Sequence, residues 1–128
     1  MTRYGISREL PIPFDEAVAA VTARLQEEGF GVLTSIDISE TLRRKLNVEF
    51  KRYTILGACN PHFAHMALQA EEEIGLLLPC NVIVYEKNGH TAVSAFNPMV
   101  MAEMTDNATV TGIADEVQSK LQRVINRL

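Results

Sequence analysis

The sequence predicts an α+β fold, with a mainly antiparallel sheet and helices packed on one of its faces. Two segments, 80–87 and 90–96, flank Asn88-Gly89, which is typical of a type I′ β-hairpin because both residues tolerate positive φ. Two longer segments, 14–28 and 110–127, repeat their apolar residues at helical spacing. Because a hairpin makes its strands antiparallel and the helices are amphipathic, we expect one sheet with its helices on one side.

The first three elements are predicted to be a strand, a helix and a strand. The segment 3–10 places Tyr4, Ile6 and Leu10 on one face, and Arg8 is the exception. The helix at 14–28 stops at Gly29, and its apolar stripe consists of Phe14, Ala17, Val18, Val21 and Leu25. The following strand, at 30–36, is expected to carry three apolar residues on one face: Phe30, Val32 and Ile36.

The middle of the chain is predicted to hold a short polar helix at 39–46, a strand at 50–59 and a helix at 61–70. Asn60 is a good N-cap for that helix, and Pro61 fits its first position, where no amide donor is needed. The loop that follows, 71–79, contains the apolar run 74–78. Such a run packs against the core, a partner subunit or a ligand.

After the hairpin, Asn97-Pro98 ends the last strand, and a short helix is predicted at 98–104. The final helix, at 110–127, is expected to pack across the sheet. Its stripe consists of Val110, Ile113, Ala114, Val117, Leu121, Val124 and Leu128. The predicted order is therefore β-α-β-(short α)-β-α-β-β-α, with the helix at 98–104 added before the last one.

Length and composition favour one globular domain over residues 1–128. The formal net charge of −4 argues against nucleic-acid binding, because such proteins usually carry a broad positive surface. No apolar stretch is long enough for a membrane span, and the first residues lack the apolar run of a signal peptide. We therefore expect a cytoplasmic protein whose two cysteines are free thiols.

The two cysteines form the main candidate site. Cys59 ends one predicted strand and precedes Asn60, and Cys80 begins another strand and precedes Asn81. If these strands are antiparallel neighbours, both thiols meet at one edge of the sheet, whereas parallel strands would place them at opposite ends. With His65, these four residues would line a polar pocket, because asparagine offers both donors and acceptors. The alternative is a pair of buried, inert cysteines.

Other side chains are weaker candidates. His62 and His65 share a polar stripe with Gln69, opposite Phe63, Ala67 and Ala70, and their spacing matches no tight metal motif. Glu86 lies in an otherwise apolar strand, where it is either a ligand-binding residue or an exposed residue near the turn. The basic runs 43–45 and 51–52 are typical of a solvated face. No phosphate-binding glycine loop, Gly-x-Ser-x-Gly or His-Glu-x-x-His motif is present.

Several segments resemble the bacterial and archaeal domain-of-unknown-function 302 family: 28–33, 36–38, 53–61, 67–70, 74–82 and 84–86. The residues that match the family's motif are Cys59, Asn60, Pro61, Gly75, Pro79, Cys80, Asn81 and Glu86. This resemblance implies a compact α+β domain similar to the TATA-binding-protein-like fold, and a homodimer. The resemblance identifies which residues match the motif of the family, but it assigns them no roles, since the family has no established activity.

Three hypotheses about function stay open at this point. The first is a small-molecule or metal-binding module whose pocket contains the two Cys-Asn pairs, with His65 and Glu86 as further candidates. The second is an enzyme with a cysteine nucleophile or redox centre, for which His62 or His65 would be the base. The third is a homodimeric interaction domain that uses the apolar run 74–78 and three methionines: Met99, Met101 and Met104. The sequence identifies no cofactor.

Overall fold

A five-stranded sheet forms the centre of the computed structural model, which describes residues 2–128. Its strands are β1 (Gly5–Leu10), β2 (Gly31–Asp37), β3 (Tyr53–Cys59), β4 (Cys80–Lys87) and β5 (His90–Phe96). They lie in the order β1-β5-β4-β3-β2, and every neighbouring pair is antiparallel. The predicted α+β class with an antiparallel sheet is confirmed.

Six helical segments accompany the sheet. They are α1 (Phe14–Glu27), α2 (Ile38–Leu46), α3 (Pro61–Ala70), a 3₁₀ helix (Glu72–Leu77), α4 (Met99–Thr105) and α5 (Ala108–Asn126). Within the described part of the chain, none of them combines the length and the apolar character needed to cross a membrane. The predicted element order is confirmed, and the 3₁₀ helix occupies the segment that was expected to be a loop.

The core lies between α1, α5 and one face of the sheet. Val82, Val84 and Val93 are fully buried in the central strands, and each buried valine contributes on the order of 1.5–3 kcal/mol relative to an exposed one. Six of the seven residues in the predicted α5 stripe are buried, and Leu128 packs partly against them. The opposite face of the sheet carries partly exposed residues such as Tyr53 and Tyr85.

A β-bulge in β2 changes the direction of one predicted side chain. The register with β3 shifts between Val32 and Thr34, so that Ile36 pairs with Ile55. Because an extra residue reverses the alternation of side chains, Ile36 does not share a face with Phe30 and Val32. It is 47% exposed, whereas Phe30 is buried. The prediction of one shared face was therefore wrong for Ile36.

Strand β3 begins later than predicted, at Tyr53 instead of residue 50. Its neighbour β2 ends at Asp37, opposite Thr54, and the chain then turns into α2. Residues before Tyr53 therefore have no β2 residue to pair with. The hairpin matches its prediction, since Asn88 and Gly89 have φ values of 50° and 81°.

Arg8, the exception in the apolar pattern of β1, has a structural role. Its guanidinium donates hydrogen bonds to the carbonyls of Ile125 and Asn126, at 3.2 and 3.0 Å. These carbonyls belong to the last turn of α5, where they have no partner within the helix and where a positive charge is favourable. Arg8 therefore ties the end of α5 to the edge of the sheet.

Glu28, which follows α1, is the centre of an ion-pair cluster with α5. Its carboxylate accepts hydrogen bonds from Arg123 at 2.9 Å and Arg127 at 3.3 Å, and Lys120 lies 3.8 Å away. The Glu28 side chain is only 9% exposed. The hydrogen bond from Arg123, helped by the positive charges nearby, lowers the pKa of Glu28 below its ordinary value of 4.5. This cluster joins the ends of two helices that are far apart in sequence.

We expect Glu28→Gln to reduce the free energy of unfolding at pH 7 by about 1 kcal/mol, the upper end of the range for exposed ion pairs, because Glu28 has three cationic partners. A carboxyl whose pKa is lowered in the folded state stabilises the fold above its unfolded pKa, and this contribution disappears as the pH falls through the folded pKa. The difference between variant and wild type should therefore shrink as the pH falls from 7 through the folded pKa of Glu28. Urea denaturation at pH 7 and at a series of lower pH values measures it.

Glu27→Gln is the matched control, because Glu27 pairs only with Arg24 inside α1 among the salt bridges of residues 2–128. It should change stability by less than about 0.5 kcal/mol. An equal loss in both variants, or a Glu28→Gln loss that does not shrink as the pH is lowered, would contradict the proposed cluster energetics.

Candidate functional site

The end of β3 and the start of β4 meet at one corner of the sheet. Ala58 is paired with Cys80, and Gly57 with Asn81, in an antiparallel register. Cys59 therefore lies diagonally beside Cys80, as the antiparallel alternative requires. Both cysteines are free thiols. The structure brings the two cysteines together although they are far apart in sequence.

A cavity of about 400 Å³ lies at this corner. Both cysteines line it, together with Asn60, and the sheet, α3, α5 and the segment before β4 supply its walls. Helix α3 contributes four residues at helical spacing: Phe63, Ala64, Ala67 and Leu68. Helix α5 contributes Ile113 and Val117. Since most of the lining is apolar, the thiols and the Asn60 amide are among its few polar groups.

A close approach of three chain segments shapes the wall beside Cys59. A Cβ atom on Gly57 would overlap Thr34 Oγ1 and come within 2.9 Å of Pro79 Cγ. Thr34 and Pro79 both line the cavity. Only glycine at position 57 allows these two side chains to close over β3.

The two thiols differ in their surroundings. Cys80 is 7% exposed, whereas Cys59 is partly exposed. Burial raises the pKa of the Cys80 thiol to about 11, and the neighbouring Cys59 adds a smaller contribution. Cys80 is therefore protonated at neutral pH, and a protonated thiol is a weak hydrogen-bond donor and a poor nucleophile.

Asn60 occupies the N-cap position of α3, as predicted, but its side chain does not cap the helix. Instead, Nδ2 donates a hydrogen bond to the Glu28 carbonyl oxygen at 3.4 Å. Gly29 lies beside it with φ of 85°, and a Cβ there would be 3.1 Å from Nδ2. The Asn60 side chain thus ties the start of α3 to the turn after α1, and the capping role that we predicted was wrong.

The other three predicted site residues lie outside the cavity. Asn81 is exposed on the opposite face of the sheet from Cys80, because neighbouring residues of a strand point to opposite faces. His65 is exposed, as is His62, and neither lines the cavity. Glu86 is exposed and accepts a hydrogen bond from the Arg52 amide at 3.3 Å. The structure therefore groups Cys59, Asn60 and Cys80, but not Asn81, His65 or Glu86.

Residues 2–128 contain no group of three His, Cys, Asp or Glu side chains placed to hold a metal ion. The cavity offers two thiols and one amide as polar groups near each other, and this donor set falls short of a four-coordinate site.

The apolar run 74–78 was expected to pack against the core, a partner subunit or a ligand, and its residues Gly75 and Leu78 line the cavity. The other apolar residues of the cavity were not predicted as part of a site. For α3, the available signal was the apolar stripe with Phe63 and Ala67, which the sequence places opposite the two histidines. For Phe30, Ile113 and Val117, the sequence predicted only a place in the core. Nothing local to them indicates that the core is incomplete at this corner.

A second, larger hollow of about 860 Å³ lies over the open face of the sheet. The rings of Tyr53 and Tyr85 stack there with centres 5.2 Å apart, and Lys51 Nζ lies 4.9 Å from the centre of the Tyr85 ring. Both tyrosines are partly exposed, and charged side chains such as Arg8 and Glu9 also line this hollow. The corner with the cysteines has more apolar walls and is the better candidate for binding an apolar small molecule.

Comparison with known proteins agrees with the resemblance drawn from the sequence. The family model described as "Domain of unknown function DUF302" matches residues 6–128. A crystal structure of an uncharacterized conserved DUF302 protein from Bacillus stearothermophilus is 27% identical in sequence, with a TM-score of 0.91 and 98% of each chain covered. A search of curated proteins found no match. The resemblance carried by the Cys-Asn-Pro and Pro-Cys-Asn segments is thus confirmed.

We expect iodoacetamide at pH 8 to label Cys59 at least about 100-fold faster than Cys80 in the folded protein. A thiol with a pKa of about 11 is a thiolate in roughly one molecule in a thousand at this pH. Mass spectrometry of the single-cysteine variants Cys59→Ser and Cys80→Ser measures each rate separately. In urea, both thiols should react at similar rates, and equal rates in the folded protein would contradict the burial of Cys80.

Proposed function

The chain belongs to the family described as domain of unknown function DUF302, and we propose that it binds a small, mostly apolar molecule in the cavity beside Cys59 and Cys80. The observation that carries the proposal is the cavity itself, which has about 400 Å³ of space and largely apolar walls. Small-molecule pockets typically measure 300–1,000 Å³ and combine apolar walls with a few polar groups.

The chemistry of the walls indicates the kind of molecule that would fit. Phe63, Leu78 and Val117 offer apolar contacts, so burying an apolar ligand would contribute about 25 cal/mol per Å². The protonated Cys80 thiol offers only weak hydrogen bonding. A ligand with an apolar body is therefore favoured over a sugar or another highly polar molecule, which would lose its hydrogen bonds to water.

The surroundings of the cysteines favour binding over catalysis by a thiolate. The pKa of Cys80 is raised, and the candidate bases His62 and His65 lie on the exposed face of α3. A cysteine nucleophile needs a base within hydrogen-bond reach or a lowered pKa. The proposal is accordingly a binding module that holds its ligand without a covalent step.

The rim of the cavity supports a second candidate, a homodimeric interaction domain. Leu33 and Leu68 line the cavity and are 69% and 43% exposed, and Leu76, next to the lining residue Gly75, is 83% exposed. Within the apolar run 74–78, Ile74 is buried and two leucines pack partly against the core, which leaves Leu76 outside. Exposed apolar patches of this kind often mark protein contacts.

If the cavity binds apolar molecules, the protein should bind a neutral apolar fluorophore such as N-phenyl-1-naphthylamine. Ala67→Phe should weaken this binding by roughly tenfold or more, because the new ring would fill the space beside α3. Ala64→Leu is a milder variant at the same wall, in case the larger side chain prevents folding. Fluorescence titration with each variant, with circular dichroism as a check of folding, makes the measurement.

Ala23→Phe is the matched control, because Ala23 is exposed on α1 and does not line the cavity. Its affinity should equal that of the wild type. If the wild-type protein does not bind the fluorophore, or if all three variants bind as the wild type does, the cavity is not the binding site.

Dimer formation through the cavity rim predicts that Leu76→Glu shifts the protein from dimer to monomer in sedimentation velocity. A buried charge without a partner strongly disfavours an interface. Leu46→Glu is the control, since Leu46 is 66% exposed on α2 and lies outside the cavity rim. A wild-type protein that stays monomeric, or equal behaviour of both variants, would reject this interface.

A further inference from the structure

The end of the cavity formed by Asn60 and Phe63 borders the charge cluster around Glu28. The Asn60 side chain is bonded to the Glu28 carbonyl, and Lys120 Nζ lies 5.9 Å from the centre of the Phe63 ring. Lys120 follows Val117, a lining residue, by one helical turn, so both project from the same side of α5. The Lys120 ammonium therefore lies just beyond the apolar wall of the cavity.

The cluster contains more positive than negative charge. Arg123 donates three hydrogen bonds to the Glu28 carboxylate, and Arg127 donates a fourth. Lys120 is the most distant of the three cations, at 3.8 Å, and among the salt bridges of the described residues Glu28 is its only carboxylate partner. The arginines thus satisfy the carboxylate, and Lys120 is a surplus cation in a chain whose net charge is −4.

Lys120 also lies at the boundary between the charge cluster and the apolar wall of the cavity. Its side chain is 29% exposed, and its contact with Phe63 lets the four-carbon stem lie along an apolar surface. The ammonium thus lies between the Glu28 carboxylate, 3.8 Å away, and the ring of Phe63, which lines the cavity.

We propose that the ligand of this cavity is amphipathic, with an apolar chain among the α3 and α5 side chains and a carboxylate received by Lys120. This inference rests on the proposed binding function and adds the chemical class of the ligand. The apolar walls would contact the apolar chain of the ligand, and the surplus cation, Lys120, would pair with the acidic group of the ligand. A neutral ligand of the same length would leave Lys120 unused.

Displacement of N-phenyl-1-naphthylamine from the protein of residues 1–128 tests the inference at pH 7.5. We expect decanoate to displace the fluorophore at about fivefold lower concentration than decanol, which has the same chain without the charge; this ratio is what a partly exposed ion pair provides. Lys120→Met should abolish the fivefold preference and leave the affinity for decanol within about twofold. Lys120→Arg should retain it.

Lys45→Met is the control for a general loss of positive charge, because Lys45 lies on α2 and does not line the cavity. This variant should keep the preference for decanoate. Lys120→Gln repeats the test with a polar side chain in case the methionine variant folds poorly.

The outcomes separate this inference from the binding function. If decanoate and decanol displace the fluorophore equally, or if the preference survives in Lys120→Met, the carboxylate assignment is overturned while the cavity remains a binding site. If the fluorophore does not bind, or neither compound displaces it, the proposed function fails and the carboxylate assignment fails with it.

Discussion

The antiparallel register between β3 and β4 is the constraint on which the candidate site depends. It places Cys80 opposite Ala58, so that Cys80 faces the helices and Asn81 faces the open side of the sheet. A slip of one residue would exchange these faces, because side chains alternate along a strand. The register is held by the apolar neighbours further along β4, Val82 and Val84, which are fully buried and would be exposed by such a slip. The same burial that stabilises the core thus determines which polar groups reach the cavity.

The cavity exists because the packing at this corner is made from small residues and irregular backbone. Helix α3 presents Ala64 and Ala67 toward it, where larger side chains would fill the space. The bulge in β2 bends that strand beside the cavity. Because Gly57 has no side chain, Thr34 and Pro79 can lie close together above β3. Elsewhere on the same face, valines and leucines pack closely against α1 and α5. One corner of the core is therefore left open while the rest of the sheet is covered.

The ion-pair cluster and the cavity share their structural supports. Glu28 bonds to α5 through its carboxylate and to Asn60 through its carbonyl, so it fixes the end of α1 relative to both helices that line the cavity. Lys120 and Phe63 then form the boundary between the apolar space and the charges. In the proposed complex, this boundary would receive the acidic group of an amphipathic ligand.

The sequence by itself determined the elements, their order and the family. The Asn-Gly turn, the α5 stripe and the Cys-Asn-Pro and Pro-Cys-Asn segments each depend on residues that are close together in the chain, so their patterns can be read directly. It also predicted that the two cysteines meet, on the condition that their strands are antiparallel. Only the tertiary structure decided that Ile36 and Asn81 face away from the core. The same is true of the hydrogen bond from Asn60 to the Glu28 carbonyl and of the ion pairs between Glu28 and the cations of α5. The physical reason is that a bulge, a register and a contact between residues about 95 positions apart are fixed by packing of the whole chain, and no local pattern records them.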